Sequence, residues 1–310
     1  MEDIGGRPAR RRGNGASELS GLLCIGECMI ELSGGQDDLY RGGFAGDTLN
    51  TAWHAKAHLG DVPVAFYTAV GTDRMSDRML DFFAAADIDT TGVLRIPERR
   101  PGLYMIEQRD GDRHFTYWRE TSAARMLAED AGHLSQVMAG RDLVYLSGIT
   151  LAILSPAARE RLLGALKDCR VAFDPNIRPI LWESAEVMCD VIMRAAALSD
   201  IVLPSFDDEA VHFGDADPAA TVERYARANP RAEIVVKDGP KPARLRADGK
   251  DSQIEVPPVA SVVDATGAGD SFNGRYLAER LKGTAPDAAA RAAISTSGQV
   301  IGHHGAIPRG

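Results

Sequence analysis

The densest chemistry in this chain sits in the heptad Asp264-Ala-Thr-Gly-Ala-Gly-Asp270. Glycines carry no Cβ, so the backbone N–H groups around them can converge on one point. The apolar residues Phe272, Tyr276, Leu277 and Leu281 follow at helical spacing. The heptad therefore opens a helix, whose positive dipole end adds to the field of the amides. The valine-rich segment ahead of it (Ile254, Val256, Val259, Val262, Val263) reads as a strand. Amides of Gly267, Ala268 and Gly269 at such a turn make a socket for an anion, and Asp270 places a fixed base beside it. An anion socket next to a base suits phosphoryl transfer to an alcohol. The plainer reading of Asp270 is a carboxylate that only stabilises a helix N-terminus.

A turn of this kind needs a rigid scaffold, and the rest of the chain reads as one. Strand-length apolar runs at Leu22–Ile30, Val64–Val70, Leu143–Leu146, Val171–Phe173, Ile201–Leu203 and Ile234–Val236 alternate with helix-period stretches. The helices fall at Thr48–Leu59, Asp73–Ala86, Pro156–Lys167, Ala185–Leu198, Thr221–Ala228, Ala268–Lys282 and Asp287–Val300. The pattern predicts an α/β fold: a mostly parallel sheet with helices on both faces. Ligands in such folds bind where the strands end, and Glu27, Asp174, Asn176, Arg178, Lys237 and the glycine turn all lie there. Thr91–Trp118 breaks the alternation. It reads as short strands at Gly92–Ile96, Leu103–Gln108 and His114–Trp118, with Asp110-Gly111 as a hairpin turn. Leu39–Phe44 reads as another strand of that set. The expectation is a small sheet acting as a lid, with strands from about 38–44 and 91–119, inserted in one domain spanning 21–310.

Bulk properties exclude several functions. A chain of 310 residues with 45% apolar content can bury one large core. A net charge of -9 argues against nucleic acid as a partner. Cys24, Cys28, Cys169 and Cys189 form no CxxC pair and have no histidines at zinc spacing, so they read as reduced thiols. No apolar run is long enough to span a bilayer, so no membrane partner is expected. Met1–Ser20, with Arg7, Arg10, Arg11 and Arg12, lacks the apolar stretch of a signal peptide and reads as an unstructured extension of a cytoplasmic protein.

Two longer motifs carry a resemblance. Arg41-Gly-Gly-Phe-Ala-Gly-Asp-Thr-Leu-Asn-Thr-Ala52 and Asp264-Ala-Thr-Gly-Ala-Gly-Asp-Ser-Phe-Asn-Gly274 resemble the N- and C-terminal signatures of the ribokinase-like sugar kinases, the PfkB carbohydrate kinase family. The likeness runs from Leu22 to the end. Gly26-Glu-Cys-Met-Ile-Glu-Leu-Ser33, Gly46-Asp-Thr-Leu-Asn-Thr51, Pro101-Gly-Leu-Tyr104, Tyr117-Trp-Arg119, Leu146–Pro156 and Asp174-Pro-Asn-Ile-Arg-Pro-Ile-Leu-Trp182 are similar to the branch of that family that phosphorylates 2-keto-3-deoxygluconate, a sugar acid, at O6.

The resemblance implies a ribokinase-like three-layer α/β/α domain with a β-sheet lid, and it implies roles. Asp270 would take the proton of the attacking sugar hydroxyl, while Gly267, Ala268 and Gly269 hold the transferred phosphoryl group. Gly46, Asp47, Asn50, Tyr104, Tyr117, Arg119 and Arg178 would contact the sugar acid, the two guanidinium groups being suited to a carboxylate. Asn176, Arg178, Lys237, Gly239 and Thr266 would face ATP. Mg2+ would arrive on the triphosphate, with Asp208 as its one protein carboxylate and Ser205 replacing the family's usual Asn. Pro242 stands where the family has a second glycine after Gly239. The family leaves K+ open as a further ion, and His303-His304 reads as a loop near the nucleotide. A homodimer that covers the lid edges is also implied.

Each of these residues has a plainer role. Arg178 could pair with a structural carboxylate, the tyrosines could be lid core, Asp208 could be a helix-start acid, and Gly46 a helix cap. A kinase of a neutral ketose and a non-catalytic sugar-acid-binding regulator are the alternative functions.

Overall fold

The computed structural model describes residues 19–34, 39–109 and 112–307. The expected tail up to residue 18 and the Asp110-Gly111 turn lie outside them. Strands β1 (Leu22–Ile25), β2 (Met29–Gly34) and β3 (Tyr40–Ala45) lead into helix α1 (Asp47–Leu59). Then come β4 (Val64–Tyr67), β5 (Ala69–Val70), α2 (Arg74–Ala85), β6 (Leu94–Arg95), β7 (Leu103–Arg109), β8 (Asp112–Trp118) and α3 (Ala131–Met138). The middle of the chain holds β9 (Leu143–Ser147), α4 (Gly148–Ala152), α5 (Pro156–Leu166), β10 (Val171–Asp174), α6 (Ala185–Leu198), β11 (Ile201–Val202), α7 (Phe206–Phe213) and α8 (Pro218–Ala228). β12 (Glu233–Asp238), β13 (Lys241–Ala247), β14 (Lys250–Ile254), α9 (Ala268–Lys282) and α10 (Pro286–Val300) complete it. None of these helices is long and apolar enough to cross a membrane.

The main sheet has eight strands in the order β14-β13-β12-β11-β10-β9-β1-β4. The strands from β4 to β12 run parallel, and β13 and β14 are antiparallel additions. The parallel strands are mostly apolar because helices cover both faces, with polar residues such as Asp174 and Lys237 toward their carboxyl ends. Successive residues of β1 show this: Leu23 and Ile25 enter one core and Leu22 and Cys24 the other. The second core holds Leu49 of α1, Tyr145 of β9, and Phe272 and Tyr276 of α9. The charged alternation of β13 and β14 gave no apolar run, and sequence reading missed both.

Four boundaries differ from the sequence expectation. Leu22–Ile30 is two strands, because the chain leaves the main sheet at Gly26, whose N–H donates to Tyr67 O (3.1 Å). A Cβ at Gly26 would run into the Thr48 and Thr150 side chains. β2 instead joins a separate four-stranded sheet, β3-β2-β7-β8. Val64–Val70 is split at Thr68. The expected lid strand Gly92–Ile96 is a two-residue β6 that pairs in parallel with β5, outside the lid sheet. Finally, β14 ends at Ile254, and Val259, Val262 and Val263 are exposed in a loop. The glycine turn is therefore fed by a loop and not by a strand.

The closest helix pair is α1 against α9. A Cβ on Gly274 would lie 2.5 Å from Thr51 O, 2.7 Å from His54 Cβ and 2.8 Å from Ala55 N. One turn earlier on each helix stand Asp270 and Asn50, since residues four apart share a helix face. Gly274→Ala should cost about 1–3 kcal/mol through overpacking, read as a melting temperature several degrees lower. Gly164→Ala in α5, where a Cβ meets nothing within 4 Å, should be neutral or stabilising. Equal melting temperatures for wild type and Gly274→Ala would show that the helices are not in backbone contact.

Candidate active site

Gly267 caps α9 at φ +78, in the left-handed region. A Cβ there would strike Ala306, so the C-terminal loop seats directly on the glycine turn. Asp264 ties the two together: its Oδ1 accepts the Thr266 N–H (2.9 Å) and its Oδ2 the Gly305 N–H (2.8 Å). Ser297 donates to Ala268 O (2.9 Å), and the His54 ring bonds Ala306 O (2.8 Å). The first-turn amides of a helix have no intrahelical acceptor, which leaves those at Gly267 and Gly269 for a ligand. Ala268 differs from the expectation, because its N–H closes the turn onto Ala265 O (3.2 Å).

Asp270 is partly accessible in the first turn of α9. Asn50 of α1 donates to its Oδ2 at 2.8 Å. Its pKa is pushed up to about 7, first by burial and then by the charges of Asp47 and Asp174; the Asn50 hydrogen bond and Lys237 pull it the other way. Asn176, just beyond β10, adopts φ +33, a conformation that Asn tolerates better than most residues. Its side chain donates to Asp47 (2.7 Å) and its N–H to Asp174 (3.0 Å). Lys237 of β12 donates to Asp174 (2.9 Å) and Asn273 (3.1 Å), and its Nζ lies 3.7 Å from where a Gly269 Cβ would be. Asp47, Asn50, Asp174, Asn176, Lys237, Gly269 and Asp270 thus form one connected group at the carboxyl ends of the strands.

Residues assigned to the sugar side stand differently. Arg119 is buried and ion-paired with buried Glu27, which lies between β1 and β2. Tyr104 donates to Glu31 and packs against Tyr117, with ring centroids 5.8 Å apart. Tyr117 itself is 46% exposed. Arg178 is exposed and pairs with Asp208 at 3.4 Å. Gly46 has a structural reason of its own: a Cβ would collide with Glu27 O. Glu27 Oε1, Thr48 Oγ1, Asn50 Oδ1 and Arg119 Nε are buried without a hydrogen-bond partner, so this wall is polar and unsaturated. Gly239 turns β12 into β13 at φ +53, and Pro242 sits inside β13 near its start. Among the described residues no three His, Cys, Asp or Glu side chains converge as a metal cage. His303 and His304 are both exposed.

Sequence reasoning missed Glu31, Tyr145 and Asn273. Only the lone acids in an apolar run at Gly26–Leu32 gave a signal, since buried carboxylates need partners.

The chain matches the pfkB family of carbohydrate kinases over residues 20–309. It is 40% identical to the 2-dehydro-3-deoxygluconokinase of Escherichia coli strain K12, across 92% of this chain and 96% of that protein. The 2-dehydro-3-deoxygluconokinase of Dickeya dadantii strain 3937 is also 40% identical, with the same coverage. Among solved structures, a PfkB protein from Polaromonas sp. JS666 superposes with a TM-score of 0.80 at 25% identity, covering 91% of this chain and 96% of that one.

Because the folded pKa of Asp270 lies above its unfolded value, folding favours the protonated carboxyl. The stability tied to this group is present below the unfolded pKa near 4 and is lost as pH rises through about 7. Asp270→Asn should therefore raise the melting temperature at pH 8 by a few degrees and change it little at pH 4. A lower melting temperature at pH 8 would mean that the carboxylate is a stabilising helix cap.

Proposed function

We propose that this chain, which belongs to the pfkB family of carbohydrate kinases, transfers the γ-phosphoryl group of ATP to the terminal hydroxyl of 2-dehydro-3-deoxygluconate, also called 2-keto-3-deoxygluconate. The observation that carries the chemistry is the Asp270 carboxyl, held by Asn50 at 2.8 Å beside the glycine turn. The substrate choice is supported by 40% identity over nearly the whole of two kinases of that name.

In this reading Asp270, ionised, accepts the proton of the O6 hydroxyl as that oxygen attacks the γ-phosphorus. The O6–P bond forms, the bond from the γ-phosphorus to the β,γ-bridging oxygen breaks, and ADP leaves. Amides at Gly267 and Gly269 and the Lys237 ammonium meet the charge on the transferred group. Asn176, Thr266 and Gly239 border the nucleotide. Four carboxylates (Asp47, Asp174, Asp208, Asp270) face two cations (Lys237, Arg178) here. A bare triphosphate would be repelled by that excess, so the nucleotide binds with Mg2+, which supplies charge neutralisation of its phosphates. Asp208 is the carboxylate that would be left to hold the ion once Arg178 turns to the sugar acid. A monovalent cation has no part in this reading.

The sugar acid's charge falls to Arg178. Its guanidinium is exposed and only loosely held by Asp208, so it can exchange partners. Arg119 is neutralised by Glu27 and offers hydrogen-bond donors without net charge. A neutral-ketose kinase is the second reading, favoured by the one fact that both arginines already hold carboxylates.

The lid also supports pairing of two chains. Trp118 (51% exposed) and Tyr40 (42%) fall on one face of its sheet, and Phe115 (45%) and Tyr117 on the other. Sedimentation equilibrium should give twice the 33.3 kDa chain mass, and Trp118→Glu should return a monomer; a monomeric wild type would remove the pairing.

ADP release measured with 2-dehydro-3-deoxygluconate should exceed that with fructose by orders of magnitude. Asp270→Asn should lower kcat by roughly 10²-fold or more. Wild-type kcat/KM should fall about tenfold per pH unit below about 7 as Asp270 takes up its proton. Arg178→Ala should raise the acid's KM roughly ten- to a hundredfold and leave fructose unaffected. Equal turnover of both sugars would favour the ketose reading, and an unchanged Asp270→Asn rate would remove the base.

A further inference from the structure

We infer that Asn273 is the positioning residue for Lys237, fixing the ammonium so that its remaining N–H is aimed at the phosphoryl group. This rests on the phosphotransfer reading above and assigns a role to a buried residue that the reaction does not touch. Asn273 lies in the second turn of α9, three residues beyond Asp270, and is wholly inaccessible. Its amide is saturated on both sides. Oδ1 accepts from Lys237 Nζ (3.1 Å), while Nδ2 donates to Asp174 Oδ2 (2.6 Å) and Tyr145 OH (3.1 Å).

An ammonium has three donors. Asp174 takes one at 2.9 Å and Asn273 the second. The third has no protein acceptor among these residues, and Nζ itself lies 3.7 Å from where a Gly269 Cβ would be. Two fixed legs set the direction of the third, much as preorganised donors do at a developing negative charge.

The chemistry also says why an amide stands here. At neutral pH an amide accepts from Lys237 and at the same moment donates to Asp174, which a carboxylate cannot do. A carboxylate would add a second negative charge beside Asp174 and oppose the incoming phosphate. An aliphatic side chain would leave Lys237 collapsed onto Asp174 as a closed ion pair, with no reason to face the glycine turn. Tyr145 and Thr51 complete the support: Tyr145 OH receives the Asn273 donor and lies 3.4 Å from Thr51 Oγ1 of α1. The position of the ammonium is thereby tied to the same helix that carries Asn50.

A double-mutant cycle between Asn273 and Lys237 tests this. Asn273→Leu and Lys237→Met should each lower kcat by roughly ten- to a hundredfold, with the sugar acid's KM within about twofold of wild type. Together they should cost no more than Lys237→Met alone. The isosteric Asn273→Asp keeps the packing. Its turnover relative to wild type should rise as pH falls, because the protonated carboxyl regains the donor to Asp174; this is opposite to the slope that Asp270 imposes. Losses that multiply in the double mutant, a sugar KM that rises with the fall in kcat, or an Asn273→Asp ratio that is flat with pH would overturn the assignment. Calorimetric binding of MgATP separates this from the parent reading. If wild type releases no ADP with the sugar acid, the kinase reading fails, yet Asn273→Leu should still weaken MgATP in the Lys237 background and not in Lys237→Met.

Discussion

The contact of α1 with α9 at Gly274 decides where the chemistry sits. Only hydrogen at that Cα lets the two backbones approach, with Thr51 O, His54 and Ala55 N lining the contact. One turn away, the same approach brings the Asn50 amide onto the Asp270 carboxyl at 2.8 Å. α1 begins where strand β3 of the four-stranded sheet ends, and α9 begins at the glycine turn. A single close helix crossing thus sets Asp47 and Asn50 of α1 against the glycine turn and Asp270. The C-terminal loop holds the other side of the turn through Asp264, Ala306 and His54.

Charge completes what packing begins. Asp47, Asp174 and Asp270 lie close enough for the first two to raise the third, on top of burial. A carboxyl near pH 7 is poised to accept a proton at neutral pH, whereas an ordinary aspartate would be a weak base. Asn176 donates a hydrogen bond to Asp47, and Lys237 and Asn273 donate to Asp174, so both acids are already engaged. The arginines divide in the same way. Arg119 is spent on Glu27 inside the protein, and Arg178 stays at the surface on a long, exchangeable contact.

Much of the fold was legible, because buried parallel strands and amphipathic helices leave clear periods. The span Ala268–Lys282 was readable to the residue, since Gly267 and Gly283 punctuate both ends. The breaks at Gly26 and Thr68 were not legible. Apolar residues continue through both, and only tertiary packing, such as the Thr48 and Thr150 side chains around Gly26, bends the chain. The exposed valines after Ile254 misled in the opposite sense, as β-branched residues in a loop. In the site, residue types were readable but partners were not. Nothing in the order of residues says that Arg119 meets Glu27, ninety-two positions away, or that Asn273 bridges Lys237 and Asp174.

The most direct measurement is a carboxyl-carbon NMR titration of Asp270 in wild type and in Asn50→Ala. The helix contact and its hydrogen bond require a wild-type pKa near 7 and a higher one once the Asn50 donor is gone. A wild-type Asp270 titrating near 4, as in a solvated aspartate, or one indifferent to Asn50, would contradict the raised carboxyl on which the proposed base rests.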